Sequence, residues 1–130
     1  FMADLVREIP RPVTLDFLAA SSYGAGTTSS GKVRLLYDSE AQLEGQHVIL
    51  VEDIVDSGAT MNRLIPMLEE RRPRSLEVCA LLHKNMASSL VKAPRWVGFD
   101  APREFLIGYG LDHSENFRNL PFIGSLKAPE

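Results

Sequence analysis

Two apolar runs on either side of an amphipathic stretch constrain this chain more than any other feature of its sequence. The first, HVILVEDI (47–54), has four consecutive apolar residues, Val48 to Val51, and then two acids, Glu52 and Asp53. A strand covered on both faces needs apolar side chains at successive positions, so this run fits a parallel sheet. Residues 76–82 form a second run of the same kind. Between them, residues 60–72 carry apolar side chains at 61, 64, 65 and 68, the spacing of one helix face. Residues 48–82 therefore predict one β-loop-α-β unit, the building block of an α/β sheet. Pro66 falls inside the predicted helix, where it removes a hydrogen bond and crowds the preceding turn at a cost of about 3 kcal/mol. A kink or a short 3₁₀ stretch is expected there.

The flanks read more weakly. Apolar residues at 1, 2, 5, 6 and 9 predict a helix already under way at Phe1, ended by Pro10 and Pro12. Alternation over 13–19 predicts a strand. SSYGAGTTSSG (21–31) predicts a flexible loop, and alternation at Val33, Leu35 and Tyr37 predicts a returning strand, making a long hairpin arm. Residues 96–99 and 105–109 read as short strands, and 119–130 as a short strand or turn followed by a tail. The expected class is α/β, with a central, mainly parallel sheet and flanking helices, in one domain spanning 1–130.

Composition narrows the function. A net charge of −3 argues against nucleic acid as the main partner. The longest apolar run, 78–82, is far shorter than the ~20 residues that cross a bilayer. Cys79 is the single cysteine and lies within that run, so it reads as a small buried hydrophobe, which fits a reducing cytoplasm. His47, His83 and His113 lack zinc spacing. GTTSSGK (26–32) imitates a P-loop, but Val33 and a strand follow where Ser/Thr and a helix are required. Gly108-Tyr109-Gly110 lacks the third glycine of a dinucleotide fingerprint.

The chemistry concentrates in VILVEDIVDSGAT (48–60). Glu52 and Asp53 stand at the C-terminal end of a buried strand, where α/β sheets bind ligands. Sugar hydroxyls or Mg²⁺ would relieve the repulsion between two such carboxylates; a solvated strand end is the plainer alternative. In Asp56-Ser57-Gly58-Ala59-Thr60, the glycine permits a sharp turn and the small side chains leave backbone N–H groups open at a helix N-terminus, which suits a phosphate. Ser57 and Thr60 add hydroxyl donors. Helix capping by Asp56 or Ser57 is compatible with the same sequence. A carboxylate beside a phosphate site makes sense when it faces a reacting group as a general acid/base, which singles out Asp56.

VEDIVDSGAT (51–60) resembles the phosphoribosyl-pyrophosphate (PRPP) motif of type I phosphoribosyltransferases. Other segments narrow the resemblance to the hypoxanthine-guanine phosphoribosyltransferases, bacterial type. SSYGAGTTSSG (21–31) is similar to their mobile Ser-Tyr loop, and VCALLHK (78–84) to the strand carrying their purine lysine. WVGFDAPREFLIGYGLD (96–112) and FRNLP (117–121) resemble their purine-binding segment.

The resemblance implies the type I phosphoribosyltransferase fold with a small C-terminal purine hood, and purine salvage as the function. Phosphoribose would pass from PRPP to N9 of hypoxanthine or guanine, giving IMP or GMP and pyrophosphate. It implies Glu52 and Asp53 on the ribose hydroxyls with Mg²⁺, and Asp56, Ser57, Gly58, Ala59 and Thr60 around the 5′-phosphate. Asp56 would handle the proton at N7. Lys84 would donate to the 6-oxo group, selecting against adenine. Phe105 would stack on the base, and Leu106 and Asp112 would meet its far edge. Asp112 would also help hold a second Mg²⁺, Arg118 would contact pyrophosphate, and Ser22 and Tyr23 would close over the site. Taken alone, Lys84 reads as a solvated strand-end lysine and Phe105 as core packing.

His113 stands where the family usually has tyrosine. The family also carries an upstream segment with a strand and a pyrophosphate-binding loop, so the resemblance implies an N-terminally incomplete domain whose sheet has an unpaired edge. It implies a cytoplasmic homo-oligomer, dimer or tetramer, with no nucleic-acid or membrane partner. The rival readings are a nucleotide-sensing regulator of the same fold and an inactive fragment that still binds nucleotide.

Overall fold

The computed structural model describes residues 1–22, 33–84 and 89–126. Helix α1 (Met2–Arg7) is followed by strands β1 (Ala19–Ser22), β2 (Val33–Tyr37) and β3 (His47–Val55). Helix α2 (Ala59–Glu69) leads to β4 (Ser75–His83), β5 (Trp96–Asp100), β6 (Phe105–Ile107) and β7 (Gly124–Leu126). Strands β3, β4 and β5 form the expected parallel sheet with β4 central. Its register sets Val51 against Cys79, Ile54 against Leu82 and Val55 against His83.

The apolar run of β4 is explained by this central position; β3 is an edge among the described strands and leaves Ile49 exposed, so it is not covered on both faces as expected. On α2, Met61, Leu64, Ile65 and Leu68 pack over Leu50, Val55, Leu76, Val78 and Ala80. A second cluster gathers Leu81, Leu82 and Leu111 with Ile54, Leu106, Tyr109 and Ile123. β4 is thus buried over most of its length, and Cys79 is buried with it, which pushes its thiol pKa up. β5 is an edge among the described strands and leaves Trp96, Val97 and Phe99 exposed. No helix of the described residues is long and apolar enough to cross a membrane.

Several local expectations are corrected. Residues 13–18 are not a strand: Val13, Leu15 and Phe17 are exposed, and β1 begins only at Ala19. Asp16 interrupts the alternation. Its carboxylate accepts the Ser39 hydroxyl at 2.5 Å, Phe17 N–H at 2.8 Å and Ala41 N–H at 3.1 Å. These bonds, Ser39 first, hold its pKa below the usual carboxylate range, and they replace a sheet ladder with a polar staple to the segment after β2. Ser21 and Ser22 belong to β1, which pairs antiparallel with β2 as the expected arm. Tyr23 and the rest of the predicted loop, to residue 32, lie outside the described residues.

Helix α2 ends at Glu69, short of the predicted Arg72, which adopts φ +54°. The predicted 3₁₀ stretch at Pro66 is absent; residues Ala59–Glu69 are α-helical throughout. Pro66 is exposed, so the helical bond it cannot make is lost on the solvent side, where water can reach the Asn62 carbonyl. The Asn62 side chain clamps the helix to the segment before β5, donating to Ser89 O at 2.9 Å and accepting from Val91 N–H at 2.8 Å. The predicted strand 105–109 stops at Ile107, because Gly108 turns at φ +90° beneath Phe122. β6 and β7 form a small antiparallel ribbon, with Leu106 opposite Ser125.

Candidate active site

The C-terminal ends of β3 and β4 meet the N-terminus of α2. There a small pocket of about 50 Å³ is lined by residues of the predicted loop, including Glu52, Asp56, Ser57, Gly58 and Thr60. Gly58 is the helix N-cap, with φ +80°, and no side chain caps the helix. Neither Asp56 nor Ser57 occupies the cap position that the alternative reading gave them, although Ser57 Oγ accepts a long bond from Ala59 N–H at 3.4 Å. With glycine at the cap, the first-turn N–H groups beyond Ala59 remain available to an anion in the same pocket that Asp56 lines.

Glu52 lines this pocket and Asp53 does not. Neighbours in a strand point to opposite faces, so the two acids diverge rather than sit side by side. Asp53 is exposed and accepts Ile54 N–H at 2.7 Å. Glu52 is partly buried and has no ion-pair partner among the described residues. Burial first, and then the adjacent Asp53 charge, raise its pKa from the ordinary 4.5 to about 7.

This shift fixes a pH dependence. Below pH 4.5 the Glu52 carboxyl is protonated in both folded and unfolded chains. Between 4.5 and about 7 the unfolded chain releases the proton first, so rising pH penalises the folded state, fully so above about 7. Replacing Glu52 with Gln removes the penalty, a gain on the order of 1–3 kcal/mol. Thermal unfolding of both proteins from pH 4 to 8 will show the advantage of the variant growing through that window; a constant difference would mean that Glu52 is not desolvated.

Asp56 and Lys84 form an ion pair, Nζ to Oδ2 at 3.1 Å. Lys84 follows β4, and its backbone N–H donates to Val55 O at 2.9 Å, continuing the parallel ladder. Lys84 is buried, the only charged residue so classed among those described. It is not the solvated strand-end lysine of the plainer reading. Sequence reasoning gave the two residues separate roles and missed their contact.

The remaining predicted residues lie along the segment from β6 to β7. Phe105 is exposed, which excludes core packing, and meets His113 edge-on with ring centroids 5.2 Å apart. Leu106 lines a separate groove of about 560 Å³ between the ends of β4 and β5 and the β6–β7 ribbon. Asp112 accepts Glu115 N–H at 2.8 Å and pairs with Arg118 at 3.0 Å. Arg118 also donates to Gly110 O at 2.9 Å and Glu115 at 3.2 Å. A metal ligand and a pyrophosphate contact in the sequence reading are thus one ion pair. Sequence reasoning also missed Tyr109, at φ +53° between Gly108 and Gly110, whose hydroxyl donates to Asp4 on α1 and ties this segment to the start of the chain. The signal available was an aromatic residue between two glycines.

No group of three or more His, Cys, Asp or Glu side chains able to hold a metal occurs among the described residues. Mg²⁺ commonly takes one or two carboxylates and completes its shell with water and substrate oxygens. Glu52, which lines the pocket without a cationic partner among the described residues, can supply one carboxylate to an ion that arrives with an oxygen-rich substrate, while Asp53 stands on the opposite face.

Comparison with known proteins agrees with this architecture. The phosphoribosyl transferase domain family matches residues 1–114. A hypoxanthine-guanine phosphoribosyltransferase of Mycobacterium avium is 48% identical over 126 residues, covering 97% of this chain and 62% of that protein. One from Dictyostelium discoideum is 47% identical over 130 residues, covering 98% of this chain and 72% of that protein. Among solved structures, a hypoxanthine phosphoribosyltransferase from Staphylococcus aureus has a TM-score of 0.89 at 39% identity, covering 97% of this chain and 68% of that one. The Trypanosoma cruzi hypoxanthine phosphoribosyltransferase, in complex with the product IMP, has a TM-score of 0.85 at 42% identity, covering 97% and 68%. The chain spans less than two thirds of the length of the mycobacterial relatives.

Proposed function

Because the chain belongs to the phosphoribosyltransferase family, with hypoxanthine-guanine phosphoribosyltransferases as relatives, we propose that it transfers phosphoribose from PRPP to N9 of hypoxanthine or guanine, giving IMP or GMP and pyrophosphate. The observation that carries this reading is a buried ammonium, Lys84, beside a carboxylate, Asp56, at the ligand-binding end of the sheet and next to an uncapped helix N-terminus.

Each group has work to do. The backbone N–H groups of the Gly58 turn, with Ser57 and Thr60, bind the 5′-phosphate. Glu52 and Asp53, at the end of the strand, serve the ribose hydroxyls, Glu52 from the pocket side. Phe105 stacks on the purine, Leu106 and Asp112 meet its far edge, and Arg118 reaches pyrophosphate. As the bond from C1′ to the pyrophosphate oxygen breaks, its electron pair leaves with pyrophosphate and N9 bonds to C1′. Asp56 takes the proton from N7. When bound, Mg²⁺ reached by Glu52 and Asp53 through the ribose hydroxyls, and a second Mg²⁺ held by Asp112, would supply charge neutralisation to the pyrophosphate. Positioning and fixed charges account for most of the rate. A cytoplasmic homo-oligomer that takes no nucleic acid belongs to the same reading.

The test is PRPP- and Mg²⁺-dependent turnover of hypoxanthine, guanine and adenine. The two 6-oxopurines are consumed and adenine is not. Lys84→Ala loses 6-oxopurine use by about 10²-fold or more, because the 6-oxo group loses its charged donor. Equal hypoxanthine turnover by this variant would remove Lys84 from base recognition. GMP binding without any turnover would favour a nucleotide-binding regulator instead.

A further inference from the structure

Lys84 does more than meet the base: we propose that it is a positioning residue for Asp56, so that one ion-paired unit both recognises the purine and handles its proton. The inference deepens the reading above and rests on it. A buried ammonium requires a partner. Among the described residues, the only side-chain partner of the Lys84 ammonium is Asp56, at 3.1 Å. The root of the lysine is rigid, fixed by its backbone bond to Val55 O at 2.9 Å and by burial.

Asp56 is differently placed. It is exposed, stands just beyond β3 and precedes the left-handed turn at Gly58. No other hydrogen bond holds its carboxylate among the described residues. The ordered group therefore fixes the loosely held one. A free carboxylate beside a phosphate-binding turn is repelled by the phosphate and turns toward solvent; the ammonium keeps it at the base. An ammonium has three donors, so one can remain on Asp56 while another meets the 6-oxo oxygen.

A base without a 6-oxo group separates the two duties of Lys84. Unsubstituted purine offers Lys84 nothing to recognise, so any remaining effect of the lysine on its transfer passes through Asp56. We would measure PRPP-dependent turnover of hypoxanthine and unsubstituted purine by the chain and by Lys84→Met, Lys84→Arg, Asp56→Asn and the Met/Asn double variant. Circular dichroism and thermal unfolding report folding, because Lys84 itself meets the base of GMP. The expected result is that Lys84→Met slows purine transfer about tenfold or more, that Lys84→Arg restores part of it, and that the double variant is no slower than Asp56→Asn. Unchanged purine turnover in Lys84→Met, or losses that multiply in the double variant, would overturn the proposal. Should Lys84→Met not fold, Asp56→Ala decides, since alanine offers the lysine no acceptor: its preference for hypoxanthine over purine changes if the lysine is shared, and an unchanged ratio refutes sharing. Failure of the unsubstituted chain to use hypoxanthine would instead sink the parent reading, and this one with it.

Discussion

Replacing Asp56 with asparagine lowers hypoxanthine and guanine turnover by about 10²–10⁴-fold while GMP binding stays near normal. Asparagine has nearly the same shape and still offers an oxygen to the Lys84 ammonium, but it cannot take a proton from N7. Ligand binding survives because the turn beside it is made by Gly58 at φ +80°, not by the Asp56 side chain. The first-turn N–H groups that receive phosphate therefore keep their places. Steady-state turnover together with a direct GMP titration checks both halves. Unchanged turnover would remove the acid/base assignment, and parallel losses of turnover and GMP binding would make Asp56 a structural residue of the loop.

Gly108→Ala is the substitution with the largest expected cost in stability. Gly108 sits at φ +90°, and a methyl group there would lie 2.1 Å from the Phe122 carbonyl oxygen and 3.2 Å from Leu120 Cβ. The first of these is backbone, so no side-chain rotation relieves it. The conformational penalty of about 1–3 kcal/mol adds to that clash, giving a total of about 3 kcal/mol or more against a typical domain stability of about 5–15 kcal/mol. Gly110 provides the control, since at φ +101° it has nothing within 4 Å of an added Cβ. Gly110→Ala therefore carries the conformational penalty alone. Urea unfolding of both variants isolates the clash, and equal midpoints would show that residues 108–122 yield freely. Asp112 is anchored in the segment that must shift, so Gly108→Ala also weakens purine binding.

The central β3–α2–β4 unit was legible because its signals are local: continuous apolar runs for the strands, and a period of 3.6 for the helix between them; only β4 is buried on both faces, and the edge strand β3 leaves Ile49 exposed. Residues 13–18 misled because Val13, Leu15 and Phe17 alternate like a strand, whereas Asp16 spends its carboxylate on Ser39, Phe17 and Ala41. The helix start misled for a related reason. Asp56 and Ser57 are good capping residues, but the left-handed Gly58 takes the cap position and frees Asp56 to face Lys84. Glu52, Asp53 and the 56–60 turn were legible from residue types at a strand end, whereas the purine-side residues were named through family resemblance. What neither route gave was the pairing within it. Asp56 and Lys84 stand 28 residues apart, as Asp112 and Arg118 stand six apart on an irregular segment, and only the fold brings each pair together.

The level ending of β3 and β4, with Val55 beside His83, makes the site a matter of counting. Asp56 and Lys84 are the next residues along their respective strands. One residue added within β4 would advance Lys84 by about 3.3 Å and turn its side chain to the opposite face. The same residue added at the turn around residues 70–74, where Glu70, Arg72 and Arg74 are exposed, would be absorbed before the strand begins. Tolerance to length change thus differs sharply between neighbouring stretches of this chain, and the boundary lies at Ser75, where the strand register takes hold.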